Sequence, residues 1–206
     1  GVEYACIFAH LGVEVDLSVV PVDGWSRDML FPDTGLPWRA PSPNMPDVTS
    51  ALNYPGTCLF EGTNLSVGRG TERPFQWIGA PWLDGDVMAL NLSTLKLPGV
   101  VFHPARFTPL RPGDGKFDGV EVGGVRLEIT DSATYDPTRT AVALLVEARQ
   151  ASGDAWEWNA SHFDRLAGTQ ALRAGVEAGE SMDEITAAWP DKLRDFLEIR
   201  DPILLY

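Results

Sequence analysis

The sequence predicts an α+β fold, a small mixed sheet followed by C-terminal helices, and three observations carry that expectation. The segment from Val120 to Thr130 alternates, with Val125, Leu127 and Ile129 on one face and Arg126, Glu128 and Thr130 on the other, the pattern of a half-buried strand. From Asp136 onward, apolar residues recur at helical spacing instead. Between Gly24 and Pro55, prolines at 32, 37, 41, 43, 46 and 55 exclude regular helix and central strand, because proline lacks an N–H and biases its predecessor toward extended backbone. Strands first and helices later argue against a doubly wound sheet.

Taken in order, Val2, Ala5, Cys6 and Ala9 fall at helical spacing with neither an initiator Met nor a capping residue ahead of them. This reads as a helix entered partway, so the chain is expected to be the C-terminal portion of a longer protein. Asp16 to Val22 is a β-rich run. The proline-rich stretch carries Trp25, Leu30, Phe31, Leu36, Trp38 and Met45, more apolar surface than a solvated linker tolerates, which predicts an ordered wrap. A short strand at Thr57–Phe60, a glycine-rich loop from Gly62 to Thr71, mixed short elements through Leu97 and an extended Val101–Phe107 follow. Gly123-Gly124 reads as a two-residue hairpin turn or a bulge.

In the last third, Asp136-Pro137 is an N-cap with proline at the first helical position, and Ala141, Leu144, Leu145 and Ala148 form the buried stripe of a helix ending near Gly153. Ser181-x-x-Glu184 is a capping box opening a helix through Ile185 and Trp189. Pro190 restarts a final helix with Leu193, Phe196 and Leu197 inward, and Ile203–Tyr206 is an apolar extended tail.

Composition narrows the function. The 206 residues hold 29 Asp+Glu against 16 Lys+Arg, a net charge of −13, which repels nucleic acid and anionic lipid alike. Any anionic ligand must find a local basic pocket. No apolar run reaches the roughly 18 residues of a membrane span, and Val2–Leu11, broken by Glu3 and His10 and without a basic start, does not read as a leader. Cys6 and Cys58 are too few for a disulfide scaffold or a cysteine zinc site; they are buried thiols or one bridge. His10, His103 and His162 have no metal-ligand spacing, so no metal and no cofactor are expected.

The richest chemistry lies in Glu61-Gly-Thr-Asn-Leu-Ser-Val-Gly-Arg-Gly-Thr71, where a carboxylate, an amide, a guanidinium and closely spaced glycines follow the expected strand. It is either a binding loop or a compact structural loop in which Glu61 and Arg69 pair and Asn64 caps a turn. It is not a P-loop, since Gly62 and Gly68 have five residues between them and Arg69 follows. Nor is it a dinucleotide fingerprint, because Arg73 stands where a third glycine belongs, or a nucleophile elbow, because Asn64 precedes Ser66 where glycine is needed. Trp25 and Trp82, in Gly/Pro/Asp-rich loops, are either packing residues or sugar platforms. His103 is expected to end a strand. Glu61 and Asp84 are the carboxylates best placed by loop position for acid–base work.

These residues resemble a known family. Pro55 to Thr71, then Pro74-Phe-Gln-Trp-Ile-Gly-Ala-Pro-Trp82, together with Gly24-Trp25, Thr34-Gly-Leu-Pro-Trp38, Pro41-Ser-Pro-Asn-Met-Pro46, Phe102-x-Pro, Phe107-x-Pro109, Phe163-Asp-Arg-Leu-Ala-Gly-Thr169 and the closing Leu204-Leu-Tyr206, look like the DUF1343 family of NamZ-type exo-β-N-acetylmuramidases. The resemblance covers nearly the whole chain. It implies a two-domain enzyme whose N-terminal Rossmann-like domain is missing here, with residues 1–22 a linking helix and strand and 23–206 the C-terminal α/β domain. The implied reaction releases terminal β-1,4-linked N-acetylmuramic acid from peptidoglycan fragments, with the principal acid upstream and half a site in this chain. On that reading Glu61 is a second carboxylate, Arg69 the clamp for the lactyl carboxylate, Asn64 a hydrogen-bonding partner, and Thr71, Trp82 and Asp84 further substrate-binding residues. The partners implied are a muramyl sugar and the N-terminal domain, with no nucleic acid and no membrane, in a secreted, periplasmic or cell-envelope setting. The alternatives are a non-catalytic glycan-binding module and a structural partner domain. One departure is Val122, where the family commonly has a cysteine before Gly-Gly-Val.

Overall fold

The computed structural model describes residues 7–14, 16 and 18–205. They fall into two compact units, one formed by Arg39–Thr186 and the other by the described parts of Gly1–Trp38 and Ala187–Tyr206.

The larger unit is built on a three-stranded sheet, β1 (Trp77–Ala80), β2 (Val100–Phe107) and β3 (Val122–Ile129), in the order β1-β3-β2. Both pairings are antiparallel, so the expected mixed sheet is corrected to a purely antiparallel one. The alternating segment is the central strand, and Val125 and Leu127 are buried as its pattern required. Gly123 and Gly124 make neither a turn nor a bulge: they lie in unbroken register inside β3, opposite Ala80 and Gly79 on one side and Arg106 and Ala105 on the other. A Cβ on Gly124 would sit 2.0 Å from the Ile78 carbonyl oxygen, and one on Gly123 2.3 Å from that of Leu83. Close backbone approach, not a bend, demands glycine there.

Helix α1 (Val48–Thr57) stands where proline had excluded regular helix and where a strand was expected at Thr57–Phe60. Asp47 caps it, accepting from the Ser50 N–H at 2.7 Å, and the buried Ser50 hydroxyl donates to the Pro74 carbonyl at 2.8 Å. Pro55 falls in the last turn, where little helix remains to disrupt. A 3-10 turn, Cys58–Gly62, continues the chain in place of the strand. Helix α2 (Gly85–Thr94) packs on β2 and β3. Helix α3 (Pro137–Ser152) starts as expected, with Asp136 accepting from the N–H groups of Thr138 and Arg139, and runs through the core with Ala141, Leu144, Leu145 and Ala148 buried. It packs against α1 so closely that a Cβ on Gly56 would lie 1.9 Å from the Pro137 carbonyl oxygen. Helices α4 (Ala160–Ala167) and α5 (Ala171–Ala178), which sequence patterning missed, precede α6 (Met182–Thr186). The capping box forms as read, Ser181 N–H to Glu184 at 2.8 Å and Glu184 N–H to the Ser181 hydroxyl at 3.3 Å. The helix it opens stops at Thr186, short of Trp189.

In the smaller unit, residues 7–10 are helical; Val2, Ala5 and Cys6, and hence any Cys6–Cys58 bridge, lie outside the described residues. The β-rich run forms no strand at residues 16 and 18–22. The wrap includes a 3-10 helix at Phe31–Thr34, where the Phe31 ring meets Trp38 edge-on at 5.0 Å. Helix α7 (Trp189–Arg200) starts one residue before the expected Pro190, which sits in its first turn, but Leu193 and Phe196 are 54% and 45% exposed rather than inward. An apolar stripe produces helical periodicity whether or not a neighbour covers it. Of the expected extended tail Ile203–Tyr206, Ile203 closes a 3-10 turn, Asp201–Ile203, and Leu204 is extended. Among the described residues, no helix is long and apolar enough to cross a membrane.

Candidate active site

Tyr54 near the end of α1 and Cys58 and Glu61 on the following 3-10 turn are spaced by four and three residues, which places them along one side of successive turns. The glycine-rich loop then folds back over that side. Ser66 exchanges both backbone hydrogen bonds with Gly79 of β1, at 2.8 and 3.1 Å. Gly68 and Gly70 take φ of +75° and +77°, a conformation that side chains disfavour, and reverse the chain between them. The reversal carries Arg69 to Glu61: its Nε donates to Oε1 at 2.7 Å and Nη2 donates to the same oxygen. The two side chains are 21% and 18% exposed, so the pair is sheltered yet reachable. Oε2 of Glu61 and Nη1 of Arg69 have no partner among the described residues.

Phe75 floors the pair. Its ring lies 5.2 Å beneath the Arg69 guanidinium carbon and meets Tyr54 edge-on at 4.9 Å. This fully buried residue holds φ at +64°, strained for a non-glycine, and its carbonyl is gripped by the Thr57 hydroxyl at 3.1 Å. Lys116 arrives from the loop after β2 and donates from Nζ to the carbonyls of Phe60 at 3.1 Å and Leu65 at 2.9 Å, one on each side of Glu61.

Burial pulls the Lys116 ammonium below the ordinary lysine value, opposed by Asp114 and Glu61 and reinforced by Arg69. Burial also raises the Tyr54 phenol, helped by Cys58 and Glu61 and opposed by Arg69. The Cys58 thiol is pushed up to about 11, first by burial and then by the Glu61 charge, so it stays protonated at neutral pH and is a poor nucleophile.

The other residues singled out by sequence have internal partners. The Asn64 amide donates to the Ala155 carbonyl at 2.8 Å and accepts from the Glu157 N–H at 3.1 Å, tying the loop to the segment before α4. The Thr71 hydroxyl donates to the Gly68 carbonyl at 2.6 Å. Trp82 is 36% exposed, donates from its indole to the Ser152 hydroxyl at 3.0 Å and meets Phe117 edge-on at 5.7 Å. Asp84 caps α2, one carboxylate oxygen accepting from Asp86 and Val87 N–H groups at 2.9 and 3.2 Å. Beside that cap a cavity of about 340 Å³ opens between Gly85, Asp86, Pro104, Ala105, Arg106 and Gly123, without the Glu61–Arg69 pair in its lining. His103 lies within β2 rather than at its end, with Nε2 2.7 Å from the Glu128 carboxylate. Among the described residues no group of His, Cys, Asp and Glu is arranged to hold a metal.

Sequence reasoning thus foresaw Glu61 and Arg69 as neighbours, though as part of the structural-loop alternative, and missed Tyr54, Phe75 and Lys116. Tyr54 would have been found had Val48–Thr57 been read as a helix, since the i, i+4, i+7 spacing was in view. Nothing local marks Lys116, which reaches the pair from a separate loop.

Residues 52–206 match the family model described as exo-β-N-acetylmuramidase NamZ, C-terminal, and residues 2–49 match its N-terminal counterpart. Over 206 residues the chain is 37% identical to the peptidoglycan β-N-acetylmuramidase NamZ of Bacillus subtilis (strain 168), covering 99% of this chain and 49% of that protein. It is also similar to two crystal structures of DUF1343 family proteins from Bacteroides fragilis. One has a TM-score of 0.88 at 25% identity, covering 99% of this chain and 55% of the other. The second has a TM-score of 0.76 at 27% identity, covering 100% and 54%. The chain therefore spans about half the length of the proteins it matches.

Proposed function

This chain belongs to the NamZ exo-β-N-acetylmuramidase family of DUF1343 proteins, and on that premise we propose that it supplies half of an interdomain active site in a peptidoglycan-degrading glycoside hydrolase. The reaction proposed is exo-release of terminal β-1,4-linked N-acetylmuramic acid, with an N-terminal Rossmann-like domain supplying the other half and the acid that protonates the leaving oxygen. The setting that matches such a substrate is secreted, periplasmic or cell-envelope.

The observation that supports this reading is the Glu61–Arg69 pair, a sheltered carboxylate and fork donor in a protein of net charge −13. Glycoside hydrolysis needs one carboxyl group that gives a proton and a second that stabilises an oxocarbenium-like transition state or directs water. A carboxylate held against a guanidinium suits the second task. Its Oε2 has no donor among the described residues, which leaves it for a substrate hydroxyl or a water. Arg69 spends Nε and Nη2 on Glu61 and keeps Nη1 for the lactyl carboxylate that distinguishes muramic acid from N-acetylglucosamine. Trp82 offers a half-exposed ring as a sugar platform, while Asn64 and Thr71 act by fixing the loop that carries Arg69.

The second reading, a non-catalytic muramyl-glycan-binding or structural partner domain, draws on the internal commitments of Asn64, Thr71 and Asp84. Arg69→Ala separates the two. Under the catalytic reading it lowers turnover of muramyl substrates far more than that of uncharged N-acetylglucosamine analogues. Equal loss on both would remove the clamp, and no turnover by a full-length family protein carrying this chain would leave the binding reading.

A further inference from the structure

We propose that Lys116 is a positioning residue for Glu61, latching the 3-10 turn and the glycine-rich loop into the one arrangement that presents the carboxylate to Arg69. The inference rests on the proposed reading of Glu61 as a working carboxylate, and it adds a residue that neither the motif nor the family resemblance singled out.

The geometry is that of a clasp. Phe60 and Leu65, whose carbonyls Lys116 holds, bracket Glu61 by one residue before and four after. Between them the chain passes from 3-10 turn to loop; the Phe60 carbonyl also accepts from the Thr63 N–H at 3.0 Å and hydroxyl at 2.8 Å, but among the described residues Lys116 is the one side chain that holds both carbonyls. The latch is itself fixed. The loop 108–119 is anchored to the glycine-rich loop by the Leu110 N–H to the Gly70 carbonyl at 2.9 Å, where a Cβ on Gly70 would meet the Leu110 carbonyl oxygen at 2.8 Å. Arg111 N–H donates to Asp118 at 2.7 Å, and the N–H of Lys116 donates to Asp114 at 3.2 Å. Phe117, next to the lysine, holds φ at +55° and seats its ring on Trp82. Phe117, kept in that conformation next to Lys116 along the chain, and Phe75, under the Glu61–Arg69 pair, are strain the surrounding contacts must hold in place.

The charges facing the ammonium are Asp114 on its own loop, Glu61 on the 3-10 turn and Arg69 on the glycine-rich loop. Burial lowers the lysine from its ordinary value, so its protonated form is lost at lower pH than that of a surface lysine. The neutral amine is a weaker donor to two carbonyls, and the latch loosens on the alkaline side.

The test uses a full-length family protein carrying this chain, with Lys116→Met, Lys116→Arg and Glu61→Gln compared on a chromogenic β-N-acetylmuramide across pH. Misplacing a catalytic group by about 1 Å can cost on the order of 100-fold in rate. Lys116→Met is therefore expected to lower kcat by about 10- to 100-fold with KM changed by less than about threefold, and to remove the alkaline limb. Lys116→Arg, which keeps the charge, restores part of the rate. A second readout needs no turnover: in a Cys6→Ser background, the rate at which a thiol reagent modifies Cys58 rises in Lys116→Met as the turn opens. Loss of rate in Glu61→Gln with an unchanged kcat, pH profile and thiol rate in Lys116→Met overturns the latch and leaves the role of Glu61 standing. An unchanged rate in Glu61→Gln overturns the functional reading instead, and the thiol rate alone then decides whether Lys116 holds the turn.

Discussion

Two carboxylates, Glu61 and Asp84, sit in glycine-flanked loops and look alike in the sequence, yet the fold uses them differently. Asp84 immediately precedes α2, and its oxygen accepts the first free N–H groups of that helix. Glu61 lies just past α1, on the 3-10 turn at its C-terminal end, where there are no free N–H groups to take it up, and a guanidinium comes to it from another loop. The lesson concerns polarity along the helix: an acid before a helix is claimed as a cap, whereas an acid after one is left for other chemistry.

The largest effect that sharpens this contrast is expected of Glu61→Gln, which keeps shape and removes charge. If Glu61 acts in acid–base or electrostatic catalysis, kcat on a β-N-acetylmuramide falls by about 100- to 10,000-fold while the melting temperature barely moves. Next comes Arg69→Ala, since charge-assisted hydrogen bonds contribute roughly 1.5–3 kcal/mol each, about 10- to 150-fold in kcat/KM for substrates bearing the lactyl carboxylate. An N-acetylglucosamine analogue measured alongside gives the charge-independent baseline. Asp84→Ala should do the opposite of Glu61→Gln, losing about 1 kcal/mol of stability in a denaturant titration with kcat unchanged. A large loss of kcat from Asp84→Ala with stability intact would break the contrast.

The smallest effect belongs to Cys58. Its folded-state value, about 11, lies above the ordinary 9.0, so folding favours the protonated thiol. The stability this group contributes is whole below pH 9 and declines as pH rises toward 11. Cys58→Ala, followed by chemical denaturation from pH 8 to 11, should show a flatter decline than the parent.

How much of this was legible in advance follows the range of the forces involved. Local signals were reliable: the alternation of Val125, Leu127 and Ile129 and the Asp136-Pro137 cap depend on residues a few positions apart, and both stand in the structure. Errors arose where distant backbone decided. Gly123-Gly124 read as a turn or a bulge because glycine is permissive, but the reason for glycine is Ile78 and Leu83 pressing on β3. The stretch through Pro55 read as proline-excluded and Thr57 as the start of a strand, yet Ser50 and Thr57 tie the segment Val48–Thr57 to Pro74 and Phe75 and hold it helical. Leu193 and Phe196 had the periodicity of a buried face and are exposed among the described residues. At the candidate site the same division holds. Glu61 and Arg69, eight residues apart, were legible as a pair under the structural-loop alternative, whereas Lys116, more than fifty residues away from Glu61 along the chain, had no signal at all.

The most direct test of the split-site account is hydrolysis of a chromogenic β-N-acetylmuramide by a full-length family protein carrying this chain, run beside the 206-residue chain alone. The account predicts turnover by the full-length protein, loss of that turnover in Glu61→Gln, and none by the chain alone. Equal turnover by the chain alone would contradict it, placing every catalytic group within these residues.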